Sequence, residues 1–170
     1  MEEEKFLYQE IFEALNKAKI NYLVCGGAAV ILFGYPRLTA DLDLIVSLEK
    51  ENLENLYNVL IKLGYRLKIP IKKEEFVEKE TLQELAREKN MKVVSFYNLK
   101  DPFKIIDIGV NLPGIPEILK NKKHVRVKNS DIPIISIDDL IKMKKDAARP
   151  QDLIDVENLE DIKRHEKRKK

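Results

Sequence analysis

The stretch "YLVCGGAAVILFGYPRLTADLDLIV", residues 22–46, decides how the rest of the chain is read. One apolar run ends in Gly26 and Gly27, and a second begins with aspartates at alternate positions, Asp41 and Asp43. In a strand, successive side chains face opposite ways, so Asp41 and Asp43 share one side while Leu42 and Leu44 enter the core. Two carboxylates so placed repel each other unless something positive lies between them. A divalent cation meets that need, and Mg²⁺ typically takes one or two carboxylates together with waters and phosphate oxygens. A third acid, Asp107, stands in the apolar run "KIIDIGV", where an unpaired charge carries a heavy desolvation cost. If its strand neighbours that of Asp41, the three carboxylates meet and can hold one or two metals, with Asp107 activating an attacking hydroxyl. The glycine pair suits the same chemistry. A strand that turns into a helix at Gly-Gly offers backbone N–H groups to phosphate, with no Cβ to keep it away.

Working outward, residues 3–18 carry Phe6, Leu7, Ile11, Leu15 and Ala18 at helical spacing. "INYLVCGG" reads as a buried strand, "AAVILFGY" as a short helix stopped by Gly34 and Pro36, and "ADLDLIVS" as the next strand. A helix follows with Leu53, Leu56, Leu60 and Leu63 on one face and Gly64 closing it, then a short strand over 65–71. "EEFVEKETLQELAREKN" reads as one helix ending near Asn90. "MKVVSFY" and "FKIIDIGV" read as paired strands joined by "NLKDP". A short helix near 115–120 precedes two edge strands, "KHVRVK" and "IPIISI", the second admitting Pro133 only at a margin. Ser136 and Asp139 have N-cap spacing for one helix, and Pro150 suits the first turn of the last. Without repeats or a polar linker, residues 1–170 read as a single domain with a C-terminal helical segment over about 136–165. The order implies an α/β (α+β) fold, a mixed β-sheet flanked by helices.

The motifs together resemble the signature of the nucleotidyltransferase superfamily that shares the polymerase-beta fold. The matching set is Gly26-Gly27, Arg37-x-Thr39-x-Asp41-x-Asp43, Asp107 in "IIDIG", and Lys144 with Arg149 and Asp152 in "DLIKMKKDAARPQDLIDVENL". The resemblance is to small bacterial and archaeal nucleotidyltransferases, both the minimal ones and the toxin half of abortive-infection toxin–antitoxin systems. It implies a Mg²⁺- (or Mn²⁺-) dependent transfer of a nucleoside monophosphate from an NTP to a hydroxyl on RNA, protein or a small molecule. Asp41, Asp43 and Asp107 would be the catalytic metal ligands. Gly26, Gly27, Arg37, Thr39, Lys144 and Arg149 would bind the nucleotide. The alternative is a nucleotide-binding module that acts through an antitoxin-like protein partner.

Some residues read two ways. Arg37 and Thr39 belong to a solvated loop or to the site. Lys144 and Arg149 approach a triphosphate or pair with Asp146, Asp152 or Asp155 along the helix. Cys25 reads as a buried apolar thiol, and His124 and His165 as surface residues without metal-ligand spacing. The tail "IKRHEKRKK" reads as a frayed, solvated end, with a phosphate-binding role as its rival.

The bulk composition excludes several classes. The hydrophobic fraction of 44% suits a globular core, and 31 Lys plus Arg against 29 Asp plus Glu leave a net charge of +2, no general argument for nucleic-acid or membrane binding. One cysteine forms no internal disulfide and suits a reducing cytoplasm. The acidic start "MEEEKFLYQE" is unlike a signal peptide, no apolar run approaches the roughly 20 residues of a membrane span, and the Glu, Lys and Ile content suits a thermophile.

Overall fold

The apolar runs of the sequence pair into one seven-stranded sheet in the computed structural model, which describes residues 8–170. In chain order its strands are β1 (Tyr22–Cys25), β2 (Asp41–Val46), β3 (Tyr65–Leu67), β4 (Val93–Asn98), β5 (Ile105–Gly109), β6 (Lys123–Val127) and β7 (Ser130–Ile134). Their order across the sheet is β3-β4-β5-β2-β1-β7-β6. The sheet is mixed: β2 runs parallel to β5 and β1 parallel to β7, while the other neighbours are antiparallel. The helices are α1 (Gln9–Lys17), α2 (Gly26–Leu32), α3 (Lys50–Lys62), α4 (Lys73–Phe76), α5 (Lys79–Glu88), α6 (Ile115–Lys120), α7 (Ile137–Ala147) and α8 (Pro150–Arg168).

Strand alternation sorts the sheet into two chemically different faces. Leu42, Leu44, Ile106, Ile108, Val94 and Phe96 all point to one side and are buried. Helices α3 and α4 close that side through Tyr57 and Phe76, whose ring lies 5.4 Å edge-on from Phe96. The opposite side carries Asp41, Asp43, Ser95 and Asp107, which are only partly covered.

Several expectations are corrected by packing. The helix read over "EEFVEKETLQELAREKN" is two, broken after Phe76. The stripe that buries Leu82 and Ala86, continued backwards at helical spacing, would bury Glu78 or Lys79 and expose Phe76 and Val77. The break restores the phase. The strand over 65–71 stops at Leu67, ahead of Pro70. Strand β7 is not an edge, because it lies between β1 and β6. It accommodates Pro133 because its ladder to β1 has a single registered pair, Val24↔Ile134, just beyond the proline. The basic tail is helical to Arg168 rather than frayed, though its side chains are exposed from Arg164 onward. The expected first helix appears from Gln9, and Phe6 and Leu7 lie outside the described residues. Among the described residues no helix is long and apolar enough to cross a membrane.

Candidate active site

The register of three strands builds the site. β1 pairs with β2 through Cys25↔Asp43, β2 with β5 through Asp43↔Asp107, and β5 with β4 through Asp107↔Ser95. One row across the sheet thus reads Cys25, Asp43, Asp107, Ser95, with Asp41 one strand-step from Asp43 on the same face. Residues in register on neighbouring strands stand about 5 Å apart at the Cα, so Asp43 and Asp107 are close neighbours. The Ser95 hydroxyl donates to Asp107 Oδ1 at 2.5 Å, which fixes that carboxyl and leaves Oδ2 for other work.

Charge here is poorly compensated. Burial, then the neighbouring Asp107 and Asp41 carboxylates, push Asp43 up to about 7. Burial and Asp107 also raise Asp41. The protein's own cations sit near without neutralising the cluster, because they are committed elsewhere. Lys144 on α7 is buried and donates to Asp155 Oδ2 at 2.8 Å and Asp152 Oδ1 at 3.3 Å. Arg37 pairs with the same Asp155. Arg149 bonds Asp152 Oδ2 through Nε at 2.7 Å and through its backbone N–H at 3.2 Å, which also caps α8. Burial opposes ionisation of Asp152, but the bonds from Arg149 and Lys144 outweigh it and hold the carboxyl below its ordinary value. A chain of ion pairs, Arg37–Asp155–Lys144–Asp152–Arg149, therefore ties the 37–40 loop to both C-terminal helices beside the aspartates. Of the two readings for these cations, pairing with Asp152 and Asp155 is the one seen; Asp146 takes no part in this chain.

The glycines are required by close contacts within the protein. Gly26 has φ +62°, and a Cβ there would overlap the Asp43 carboxylate. A Cβ on Gly27 would come within 2.8 Å of Thr39 Oγ1 and 3.2 Å of Arg37 Cζ. A side chain at either position would thus collide with Asp43, Thr39 or Arg37. Thr39 itself donates to the Asp41 carbonyl at 3.3 Å, tying the loop to the start of β2.

Two cavities share the carboxylate row. One, about 390 Å³, is bounded by Gly26, Gly27, Arg37, Thr39, Asp41 and Gln151. The other, about 450 Å³, has a more apolar wall of Leu44, Val93, Leu112, Leu140 and Met143. Asp43, Asp107, Lys144 and Arg149 border both.

Cys25 is buried, and burial, with Asp43 adding to it, holds its thiol well above the usual range. His124 is exposed and lies 2.9 Å from Asp131, and His165 is exposed on α8. Ser95 and Gln151 are the site residues that the sequence reading missed. For Ser95 a signal existed: a small hydroxyl between apolar residues in "VVSFY", opposite Asp107 once the "NLKDP" hairpin is put in register. Gln151 gave none.

Among the described residues, no group of three or more acidic, histidine or cysteine side chains is arranged to enclose a metal ion. The donor set nonetheless suits a hard divalent cation of the Mg²⁺ kind. It consists of carboxylate oxygens on an open face, with charge that the neighbouring lysine and arginines leave uncancelled, and Mg²⁺ needs only one or two of them beside water and phosphate.

No protein-family model matches the sequence, and no curated protein matches it either. Solved structures do. The lincosamide antibiotic adenylyltransferase LnuA, in its lincomycin-bound form, superposes with a TM-score of 0.62 at 19% identity over 94% of this chain and 98% of its own. ANT(2")-Ia in complex with adenylyl-2"-tobramycin gives 0.56 at 14% identity, covering 90% of this chain and 85% of that one. An antigenic nucleotidyltransferase-like protein from Paracoccidioides brasiliensis gives 0.57 at 15% identity, covering 90% and 73%. With its mixed sheet, flanking helices and two C-terminal helices, the chain has the nucleotidyltransferase fold.

Proposed function

We propose that the protein is a nucleotidyltransferase that moves a nucleoside monophosphate from an NTP to a hydroxyl acceptor. The observation that carries this reading is the placement of Asp43 and Asp107 in register on adjacent parallel strands, with Asp41 beside them on the same face. Asp41, Asp43 and Asp107 would hold Mg²⁺ (or Mn²⁺), which when bound offsets phosphate charge and makes the α-phosphorus more electrophilic. The polar cavity beside Gly26, Gly27 and Thr39 would take the triphosphate. Arg149, exposed at the rim, and Arg37 and Lys144 behind it would offset the charge of the departing pyrophosphate.

In the transfer, the acceptor oxygen forms a bond to the α-phosphorus as the bond to the bridging oxygen breaks and pyrophosphate leaves. The hydroxyl proton passes to Asp107, whose Oδ1 is already occupied by Ser95, so Oδ2 receives it. The more apolar second cavity would seat the acceptor, and its size suits a small molecule better than an RNA end or a protein. Two of the similar structures hold an antibiotic or an adenylylated one, which supports the same class and makes ATP the first donor to test.

Calorimetric titration of ATP, CTP, GTP and UTP, with and without Mg²⁺, tests the reading. Wild type binds one nucleotide only with the metal, and Asp41→Asn/Asp43→Asn does not bind it. Metal-independent binding, or binding that survives the double substitution, overturns the assignment.

A further inference from the structure

A cavity of about 630 Å³ lies where β1 begins and β2 ends, bordered by Asn21, Ser47 and Leu48. Asn21 and Ser47 are at the opposite end of these strands from Cys25 and Asp43. Ser47 lies four residue steps from Asp43 along the strand, about 13 Å at ~3.3 Å per step. The volume is within the roughly 300–1,000 Å³ of typical ligand pockets. Its apolar wall is Leu48, Ile115, Pro116 and Leu119, together with Leu112, which the second cavity of the active site also touches.

The charged part of the lining is mostly basic: Lys79, Lys120 and Lys122, against Glu49. Lys122 is half-buried and donates to Asn21 Oδ1 at 2.8 Å, an uncharged acceptor. Among the described residues neither Lys122 nor Lys79 makes an ion pair, whereas Lys120 lies 3.6 Å from Glu117. Burial lowers the Lys122 ammonium from its ordinary value, the mark of a cation short of negative partners. Lys122 also borders an adjoining cavity of about 560 Å³ with Asn16 and Tyr22, so the residue lies between the two. Apolar walls with a few converging polar groups are the usual make-up of a small-molecule site.

The geometry points to a second ligand site in this cleft, for a small organic anion whose apolar body packs on Leu48, Ile115 and Leu119 and whose head group meets Lys122 and Lys79. Carboxylates and phosphate esters share the required chemistry. The site does not depend on the proposed transfer reaction.

The test is a titration of the ¹⁵N-labelled full chain, followed by amide chemical shifts, with 1-naphthyl phosphate, 1-naphthoate and neutral 1-naphthol. At least one of the two anions gives saturable shifts at Leu48, Gly114, Ile115 and Leu119, and naphthol binds at least about fivefold more weakly. If only one anion does so, that one names the head group. Lys122→Met weakens anion binding about tenfold, equivalent to ~1.4 kcal/mol. Lys79→Glu, an exposed change that leaves the fold intact, weakens it similarly, and Lys123→Met on the exposed edge strand has no effect. The inference is overturned by the absence of saturable shifts with both anions, by shifts confined to Gly26 and Gly27, by naphthol binding as tightly as the anions, or by unchanged affinity in Lys79→Glu.

Discussion

At the scale of single residues, Asp43 is where burial and charge conflict most. Its folded value of about 7 is above the ordinary 3.8, so the fold favours the protonated carboxyl. The stability this lends is fully present below about pH 4 and is lost as the pH rises toward and through 7. Metal-free wild type should therefore lose on the order of 1–2 kcal/mol more than Asp43→Asn between pH 4 and pH 8 in urea unfolding, a discount on the full shift for partial exposure. Equal slopes for the two proteins would mean that Asp43 is already compensated. The sequence showed Asp41, Asp43 and Asp107 as costly acids in apolar strands, because alternation is local information. It could not show that Gly26 and Gly27 make room for Asp43 and Thr39, since those contacts depend on how α2 leaves the sheet.

At the scale of elements, α7 and α8 are fastened by charges that the sequence left open between two roles. Asp155 is the key partner, because it is buried and accepts from both Arg37 and Lys144. Removing one partner of a buried pair leaves the other charge unsatisfied, at about 3–5 kcal/mol. Arg37 remains partly solvated and Lys144 keeps Asp152, so Asp155→Asn should cost about 2–4 kcal/mol in urea unfolding. Arg149→Ala, which truncates a largely exposed side chain, should cost about 1 kcal/mol or less. A reversed order would place the fastening at the rim instead. Helix ends were mostly legible, because Gly64, Ser136 and Pro150 act through local backbone chemistry. The break after Phe76 was not, since it answers to which face of the sheet needs covering.

At the scale of the whole molecule, the sequence implied a mixed sheet but not its order. Pairs such as β4–β5 follow from a short turn, whereas the neighbourhood of β2 and β5 rests on contacts between distant segments. The placing of β7 inside the sheet is of the same kind. That long-range ladder has a consequence for how the chain assembles. Asp43 and Asp107 are 64 positions apart (107 − 43), and β2 meets β5 only after α3, β3, α4, α5 and β4 have been traversed. Closing so large a loop is slow for any parallel pair, and here the two strands arrive with like charges opposite each other. Repulsion is thus felt at the moment the two halves of the sheet join. In stopped-flow refolding at pH 8 without metal, Asp43→Asn should fold several-fold faster than wild type, and the gap should narrow as the pH falls through 7, where Asp43 takes up a proton as the strands pair, and close below about pH 4, where it is protonated before folding begins. The carboxylate row is then a brake on assembly, released by the same protons that quiet it in the finished protein.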